Sequence, residues 1–268
     1  MRCTLLAPVW NRRLGSRGPA DPLHMQPIGI LAHSADGAVL CFLEMVRESA
    51  RRLGEHEHPE ITLSIRPMGP SLPRYARGDL AGVHAELLGT AGRLAAAGCA
   101  FFACPDNTAH LALEAATTPL PLPGLHICEE LARCATSRGH RRIGLLGTRW
   151  TMEGSAYPAA FARHGLELRV PPVEERALVD AVIFDELCRG LTSAASRDRF
   201  VRIIEGLRGA GCDAVALSCT EIPLLVPPAA SPLPTLDSTR LLAHAAVAVA
   251  LGEAPLPVWR GGPYRAEA

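Results

Sequence analysis

The sequence predicts an α/β fold of two pseudo-symmetric lobes, each a parallel sheet flanked by helices, with the active site in the cleft between them. Two observations carry this prediction. Short apolar runs alternate with stretches of helical periodicity, which is typical of βαβ units with right-handed crossovers. One strand pattern also occurs twice, because Ile-Gly-Ile-Leu at 28–31 reappears as Ile-Gly-Leu-Leu at 143–146, which is 115 residues later.

A second pair of strands repeats with nearly the same displacement. Ala-Gly-Cys at 97–99 leads into an apolar strand that ends at Asp106, and Ala-Gly-Cys at 210–212 leads into one that ends at Cys219, 113 residues further on. Two matched strands at nearly one offset indicate an internal duplication, which is too long to be a solenoid repeat.

The individual elements follow from local patterns along the chain. Apolar runs predict strands at 28–32, 61–65, 100–104, 142–148 and 166–170, and before Cys219. Helical spacing of apolar residues predicts helices at 38–52, 80–97, 126–138, 174–189, 197–208 and 239–251. Segments 66–80 and 150–158 have no readable pattern, so the sequence does not predict the size of the pocket that they border.

Two proline-rich stretches, 117–124 and 226–234, divide the chain because they cannot be helical. We interpret them as crossings between lobes. This places lobe one at 26–120 plus 235–268 and lobe two at 121–234, with the last helix returning to lobe one. Residues 1–25 carry four arginines around one short apolar patch, which predicts a disordered extension rather than a signal peptide.

Composition excludes several classes of protein. The formal net charge is zero and there is no long charged run, so nucleic acid and membrane surfaces are not expected partners. Nine cysteines without framework spacing indicate free thiols in a reducing, cytoplasmic compartment, and no zinc-type pattern or other metal site is present. The chain contains no lysine, which excludes pyridoxal phosphate enzymes and P-loop proteins unless another chain supplies the residue.

The ends of the duplicated strands carry the candidate chemistry. Ligands of such sheets bind beyond the carboxyl ends of the strands, so Asp106 and Cys219 are expected to face each other across a cleft. A carboxylate and a thiol on opposite sides of a bound carbon suit removal of a proton from one face of that carbon and return of a proton to the other face. We expect a helix start beside Cys219 to lower the pKa of its thiol. The alternative is that Asp106 only caps a helix and Cys219 is a small buried residue.

Five stretches together carry a family resemblance. Pro-Asp-Asn-Thr-Ala-His at 105–110 and Ser-Cys-Thr-Glu-Ile at 218–222 are supported by 145–153, 183–188 and 236–240. From about residue 27 to 251 the chain resembles the aspartate/glutamate racemase superfamily, which usually has Pro-Cys-Asn-Thr-Ala-His and Gly-Cys-Thr-Glu-Ile at the first two places.

The resemblance implies a cofactor-independent racemase or epimerase that moves the α-proton of an amino acid, possible substrates being aspartate and glutamate. It also implies a homodimer that takes a small carboxylate. Asp106 and Cys219 are then catalytic. Residues expected to hold or border the substrate are Ser34, Asn107, Thr108, Thr148, Thr151 and Thr220. Arg66 is a candidate clamp for a side-chain carboxylate, and Glu221 a candidate to orient Cys219 or the substrate ammonium.

One departure from the family pattern leaves alternatives open. Asp106 stands where the first catalytic cysteine is expected, and Cys104, two residues earlier, is a candidate substitute. A single-thiol isomerase or decarboxylase of a small carboxylic acid is one alternative, and a non-catalytic carboxylate-binding relative is another. His110 and His126 match family positions, where we expect them to cap or orient their neighbours.

Overall fold

The computed structural model describes residues 25–115 and 118–259, which form two four-stranded parallel sheets. The strands, in chain order, are β1 (Ile28–Ala32), β2 (Ile61–Ile65), β3 (Phe101–Ala103), β4 (Gly124–Leu125), β5 (Arg142–Gly147), β6 (Glu167–Arg169), β7 (Ala214–Ser218) and β8 (Thr235–Asp237). The first sheet has the order β2-β1-β3-β4 and the second the order β6-β5-β7-β8. The two sheets therefore share one topology, which confirms the predicted two-lobe α/β fold. The predicted disordered extension lies outside the described residues, apart from Met25.

Helices cover both faces of the sheets. They are α1 (Ala35–Leu53), α2 (Leu72–Ala76), α3 (Leu80–Ala96), α4 (Ala109–Ala115), α5 (Ile127–Ser137), α6 (Arg149–Glu153), α7 (Ala156–Arg163), α8 (Val173–Asp185), α9 (Ala194–Gly209), α10 (Ile222–Leu225) and α11 (Ser238–Ala250). Within residues 25–115 and 118–259, no helix combines the length and apolar character needed to cross a membrane.

The central strands β1 and β3 of the first sheet are buried on both faces, as their continuous apolar sequences require, whereas the edge strand β2 is partly exposed. Ile28 and Ile30 point to a core cluster that continues into the second lobe, whereas Leu31 points to a separate cluster under α3 and α4. This alternation follows from the two-residue period of side chains along a strand.

The repeated Ala-Gly-Cys sequences end helices before the twin strands begin. Gly98 and Gly211 follow α3 and α9 with φ angles of 85° and 86°, in the left-handed region that favours glycine. The next residue in each case, Cys99 or Cys212, donates its backbone N–H to a leucine carbonyl oxygen one turn back in the helix. The duplication therefore includes the helix termination as well as the strand.

The glycines of the first repeated pattern also share one role. A Cβ on Gly29 would lie 3.0 Å from Leu94 Cδ1, and a Cβ on Gly144 would lie 2.7 Å from Leu207 Cδ1. Each glycine lets a leucine of the helix before the twin strand, α3 before β3 or α9 before β7, approach the sheet closely.

The lobe boundaries differ from the prediction. Gly124–Leu125 pairs with β3 and completes the first sheet, and Thr235–Asp237 pairs with β7 and completes the second. The predicted boundaries at 120/121 and 234/235 are therefore wrong, because the chain changes lobe after each of these short strands rather than before it. Helix α11 packs against both α1 and α5 and also contacts both sheets.

Both segments without a readable pattern contain short helices. Leu72–Ala76 forms α2 within 66–80, and α6 together with the start of α7 occupies 150–158. Helices of five residues span little more than one turn, so they are too short to show a helical period in the sequence.

Candidate active site

The carboxyl ends of β1 and β3 face those of β5 and β7 across a cleft between the lobes. The empty volume there is about 550 Å³ when the solvent at its open mouth is included. The first lobe lines the cleft with His33, Ser34, Met68, Leu72, Tyr75, Pro105, Asp106, Asn107 and Thr108. The second lobe contributes Thr148, Trp150, Ile183, Phe184, Cys188, Ser218, Cys219, Thr220 and Glu221. Asp106 and Cys219 thus border the same space.

Asp106 is buried and held by two histidines from neighbouring elements. The backbone N–H of His33 donates to Asp106 Oδ2 at 2.9 Å, and His33 Nδ1 lies 3.3 Å from the same oxygen. His110 Nε2 accepts the backbone N–H of Ile127, so its Nδ1 carries the proton and donates to the Asp106 carbonyl oxygen at 3.0 Å. Burial lowers the pKa of His110 well below its usual value, which keeps this ring neutral. His110 therefore orients the Asp106 backbone.

The thiol of Cys219 donates to Glu221 Oε2 at 2.8 Å. Burial of the sulfur and the adjacent Glu221 carboxylate hold the pKa of Cys219 well above its usual value. The expectation that a helix start would lower this pKa is wrong. Helix α10 has a single turn, so its dipole is small, whereas the low-dielectric surroundings and a neighbouring negative charge both favour the neutral thiol.

Three threonine hydroxyls form a triangle across the cleft. Thr108 Oγ1 lies 3.0 Å from Thr148 Oγ1 and 3.1 Å from Thr151 Oγ1, which are themselves 3.1 Å apart. Thr148 also caps α6 by accepting the backbone N–H of Thr151. Thr108 and Thr148 line the cleft, and Thr151 lies behind them.

Ser34 and Thr220 bring helix α1 of the first lobe against the β7 end of the second. Ser34 Oγ caps α1 by accepting the backbone N–H of Gly37. A Cβ on Gly37 would lie 2.8 Å from Thr220 Cγ2, so a glycine is needed for this approach. Both hydroxyl-bearing residues line the cleft.

Asn107 lines the cleft, but its amide belongs to a buried polar network between the lobes. Its Oδ1 accepts the Tyr157 hydroxyl at 2.7 Å, and its Nδ2 donates to Ser238 Oγ at 3.1 Å. The Tyr157 hydroxyl in turn accepts from Ser218 Oγ at 2.7 Å. We call these four residues, Asn107, Tyr157, Ser218 and Ser238, the interlobe network.

Two candidates from the sequence do not line the cleft. Arg66 is exposed, and its guanidinium lies beside Gly89 of α3 rather than in the cavity. Cys104 is fully buried, donates to the Asp106 carbonyl oxygen, and has a pKa raised well above its usual value by burial. Cys104 is therefore buried beneath Asp106 and does not replace the missing thiol.

Several cleft residues were not predicted. His33 directly precedes Ser34 at the end of β1, so its place at a strand end was a usable signal. His126, a candidate from the sequence, does not line the cleft; it caps α5 and lies 2.9 Å from Glu114. Tyr75 and Trp150 come from the two segments without a pattern. No sequence signal pointed to Tyr75, and Trp150 lies in a stretch of the family resemblance, 145–153, that did not single it out. Within the described residues, no three His, Cys, Asp or Glu side chains gather in a way that could hold a metal ion.

Comparison with known proteins agrees with this architecture. The family of Asp/Glu/hydantoin racemases matches residues 37–246. A glutamate racemase of Pseudomonas entomophila is 30% identical over 63% of the chain, which spans only 60% of that relative's length.

Solved structures extend the match over more of the chain. An Asp/Glu racemase candidate of Yersinia pestis is 31% identical, covers 85% of this chain and 100% of its own, and superposes with a TM-score of 0.76. An aspartate racemase homologue of Pyrococcus horikoshii is 26% identical with a TM-score of 0.70, covering 84% of this chain and 99% of its own. The chain therefore belongs to the Asp/Glu/hydantoin racemase family.

Proposed function

We propose that the chain is a cofactor-independent racemase or epimerase of an amino acid that moves the α-proton by a two-base mechanism. One observation carries the proposal: Asp106 and Cys219 come from equivalent ends of β3 and β7 and line one cleft. Family membership supports the reaction class.

The two groups have complementary roles in the resting enzyme. Asp106 is an acceptor for the His33 N–H, whereas the raised pKa keeps Cys219 a thiol that can donate. In one direction Asp106 takes the α-proton as the Cα–H bond breaks and its electron pair passes to the carboxylate. The Cys219 S–H bond then breaks and its proton forms a new Cα–H bond on the opposite face. The resulting protonated Asp106 and Cys219 thiolate form the state that acts on the other enantiomer.

Glu221 is a positioning residue for the thiol in this proposal. Its Oε2 lies 2.8 Å from Cys219 Sγ, close enough to orient the S–H bond and to accept its proton when Cys219 must serve as the base.

Hydroxyl groups of Ser34, Thr108, Thr148 and Thr220 are the proposed donors to the substrate carboxylate. Negative charge develops on the oxygens of the substrate carboxylate when the α-proton leaves. Hydrogen-bond donors that are already in place therefore lower the barrier to proton removal. Thr151 supports Thr108 and Thr148 from behind. Asn107 acts mainly through the interlobe network, because Tyr157 and Ser238 already engage its amide.

We further propose that the enzyme works as a cytoplasmic homodimer on a small-molecule carboxylate, without nucleic acid or membrane partners. The eight cysteines within the described residues are all free thiols, which supports a reducing compartment.

Deuterium incorporation at the α-carbon in heavy water tests the proposal. We expect Cys219→Ser and Asp106→Asn each to lower inversion by at least about 100-fold, the usual contribution of a positioned acid or base. Residual exchange should survive in opposite enantiomers in the two variants, because each keeps one of the two groups. Cys134→Ser, on α5 outside the cleft, is the matched control.

Three outcomes separate the readings. Full inversion in Cys219→Ser would contradict the two-base mechanism. Release of carbon dioxide from a malonate, without exchange, supports the single-thiol decarboxylase. Binding of a carboxylate with neither reaction supports a non-catalytic relative.

A further inference from the structure

One side of the cleft is an apolar wall, which we define as Met68, Leu72, Tyr75, Trp150, Ile183 and Phe184. Its three aromatic rings form a continuous row across the two lobes. The Tyr75 and Trp150 ring centroids are 5.7 Å apart, and Trp150 and Phe184 meet edge to face at 5.9 Å. Such a row presents apolar ring surface to a ligand in the cleft.

The first-lobe half of the apolar wall is fixed in place by polar contacts outside the cleft. Ser71 Oγ donates to Glu86 Oε2 at 2.6 Å, and Arg74 Nε donates to Glu86 Oε1 at 3.1 Å, which ties α2 to α3. The Tyr75 hydroxyl lies 3.3 Å from His33 Nε2, so its polar end is engaged and its ring remains as wall. The first-lobe half of the wall is therefore preformed.

The cleft offers no cation to a second carboxylate of the substrate. None of the described residues that line it is arginine, and the chain contains no lysine. The charged lining groups are Asp106 and Glu221, both carboxyls, and His33 is already opposite Asp106. An acidic side chain against the apolar wall would therefore lose its hydration without gaining an oppositely charged partner.

Two other arginines close in sequence to the wall, Arg149 and Arg66, are engaged elsewhere. Arg149 places its guanidinium 4.6 Å from the Trp150 ring centroid, with Nε 3.9 Å from Asp180 Oδ2, and it does not line the cleft. Arg66 lies beside α3.

From this arrangement we infer that the substrate carries an uncharged apolar side chain, which lies against Tyr75, Trp150 and Phe184. The inference rests on the proposed function for the α-carbon chemistry and replaces aspartate and glutamate as the favoured substrates. The α-carboxylate would bind at the threonine hydroxyls, and the apolar wall would select the side chain.

Substrate preference is the first test. Deuterium incorporation should be at least about tenfold faster for phenylalanine, leucine or methionine than for aspartate or glutamate, since an unpaired buried carboxylate is strongly disfavoured. Trp150→Ala should lower kcat/KM about 10- to 100-fold for the preferred apolar substrate and less than about threefold for alanine, which cannot reach the wall. Arg66→Ala should leave kcat/KM unchanged for both the apolar substrate and alanine. Faster exchange of aspartate or glutamate, lost in Arg66→Ala, would overturn the inference and leave the proposed function intact.

A binding measurement separates this inference from the proposed function. Titration with 3-phenylpropionate and with glutarate, followed by tryptophan fluorescence, needs no turnover. We expect 3-phenylpropionate to bind at least about tenfold more tightly. If 3-phenylpropionate binds more tightly but no amino acid exchanges its α-hydrogen, the proposed function fails and the apolar specificity stands. If glutarate binds as tightly or neither ligand binds, the inference fails.

Discussion

At the scale of single residues, Asp106 and His33 form a pair that has no counterpart in the second lobe. Burial lowers the pKa of His33, but the Asp106 carboxylate more than offsets this, and the net pKa lies above the ordinary value of 6.5. On the second lobe the equivalent strand end carries a thiol and Glu221 instead. The duplicated halves have thus acquired different titrating groups at matching places.

The pair should make stability depend on pH in a defined direction. Because the folded pKa of His33 is raised, its stabilising charge is fully present below about pH 6.5 and is lost as pH rises through the folded value. Replacing His33 with Gln should therefore cost more stability at pH 5.5 than at pH 9, as measured by urea unfolding at both values. His56→Asn in an exposed loop is the control and should show no such dependence. An equal cost at both pH values would rule out the charged pair.

At the scale of elements, the two helix terminations before β3 and β7 set where the reactive strand ends emerge. Gly98 has open space around the position of a Cβ, so its only constraint is the positive φ angle. Gly92, in the middle of α3, also has open space but lies in ordinary helical backbone. Substitutions at Gly98 and Gly92 therefore differ in backbone conformation and not in packing.

We expect alanine at these two glycines to change stability in opposite directions. Gly98→Ala should destabilise the protein by about 1–2 kcal/mol, because an L-residue is strained in the left-handed region. Gly92→Ala should stabilise it by about 0.5–1 kcal/mol through helix propensity. Chemical denaturation of both variants checks the signs, and destabilisation by both would show that packing rather than backbone conformation dominates.

At the scale of the whole molecule, the interlobe network holds the two halves of the cleft in register. Tyr157 of the second lobe is its central member, since its hydroxyl contacts both Asn107 and Ser218. All of these groups are buried, so each lost partner exposes a polar atom to apolar surroundings.

Tyr157→Phe should cost about 2–3 kcal/mol of unfolding free energy, because two buried groups lose a partner while the ring still fills its site. Ser218→Gly, which restores the usual family residue, should cost only about 1 kcal/mol, since the Tyr157 hydroxyl keeps its bond to Asn107. Unfolding in guanidinium chloride measures the free energy of unfolding of both variants. A smaller loss for Tyr157→Phe than for Ser218→Gly would contradict this account of the network.

The parts of the fold that the sequence predicted are those encoded by local patterns. The twin strands and their polar ends were predicted because Asp106 and Cys219 each follow an apolar run directly. Strands β4 and β8 were missed, since two or three residues are too few to show a period. The position of Arg66 and the pKa of Cys219 depend on tertiary surroundings that no local pattern records. The apolar wall was missed for the same reason, because Tyr75 and Trp150 meet only in the folded molecule.

The position of α11 has a consequence for how the chain folds as it is synthesised. Helices α1 and α5 both pack against α11, which is formed by residues 238–250. At about 5–20 residues per second, the stretch between the end of α1 and the start of α11 takes about 10–40 s to synthesise. During that time the apolar face of α1 lacks its partner. The two lobes therefore do not mature as independent halves on the ribosome, and the nascent chain carries a surface that chaperones can bind until residue 250 has emerged.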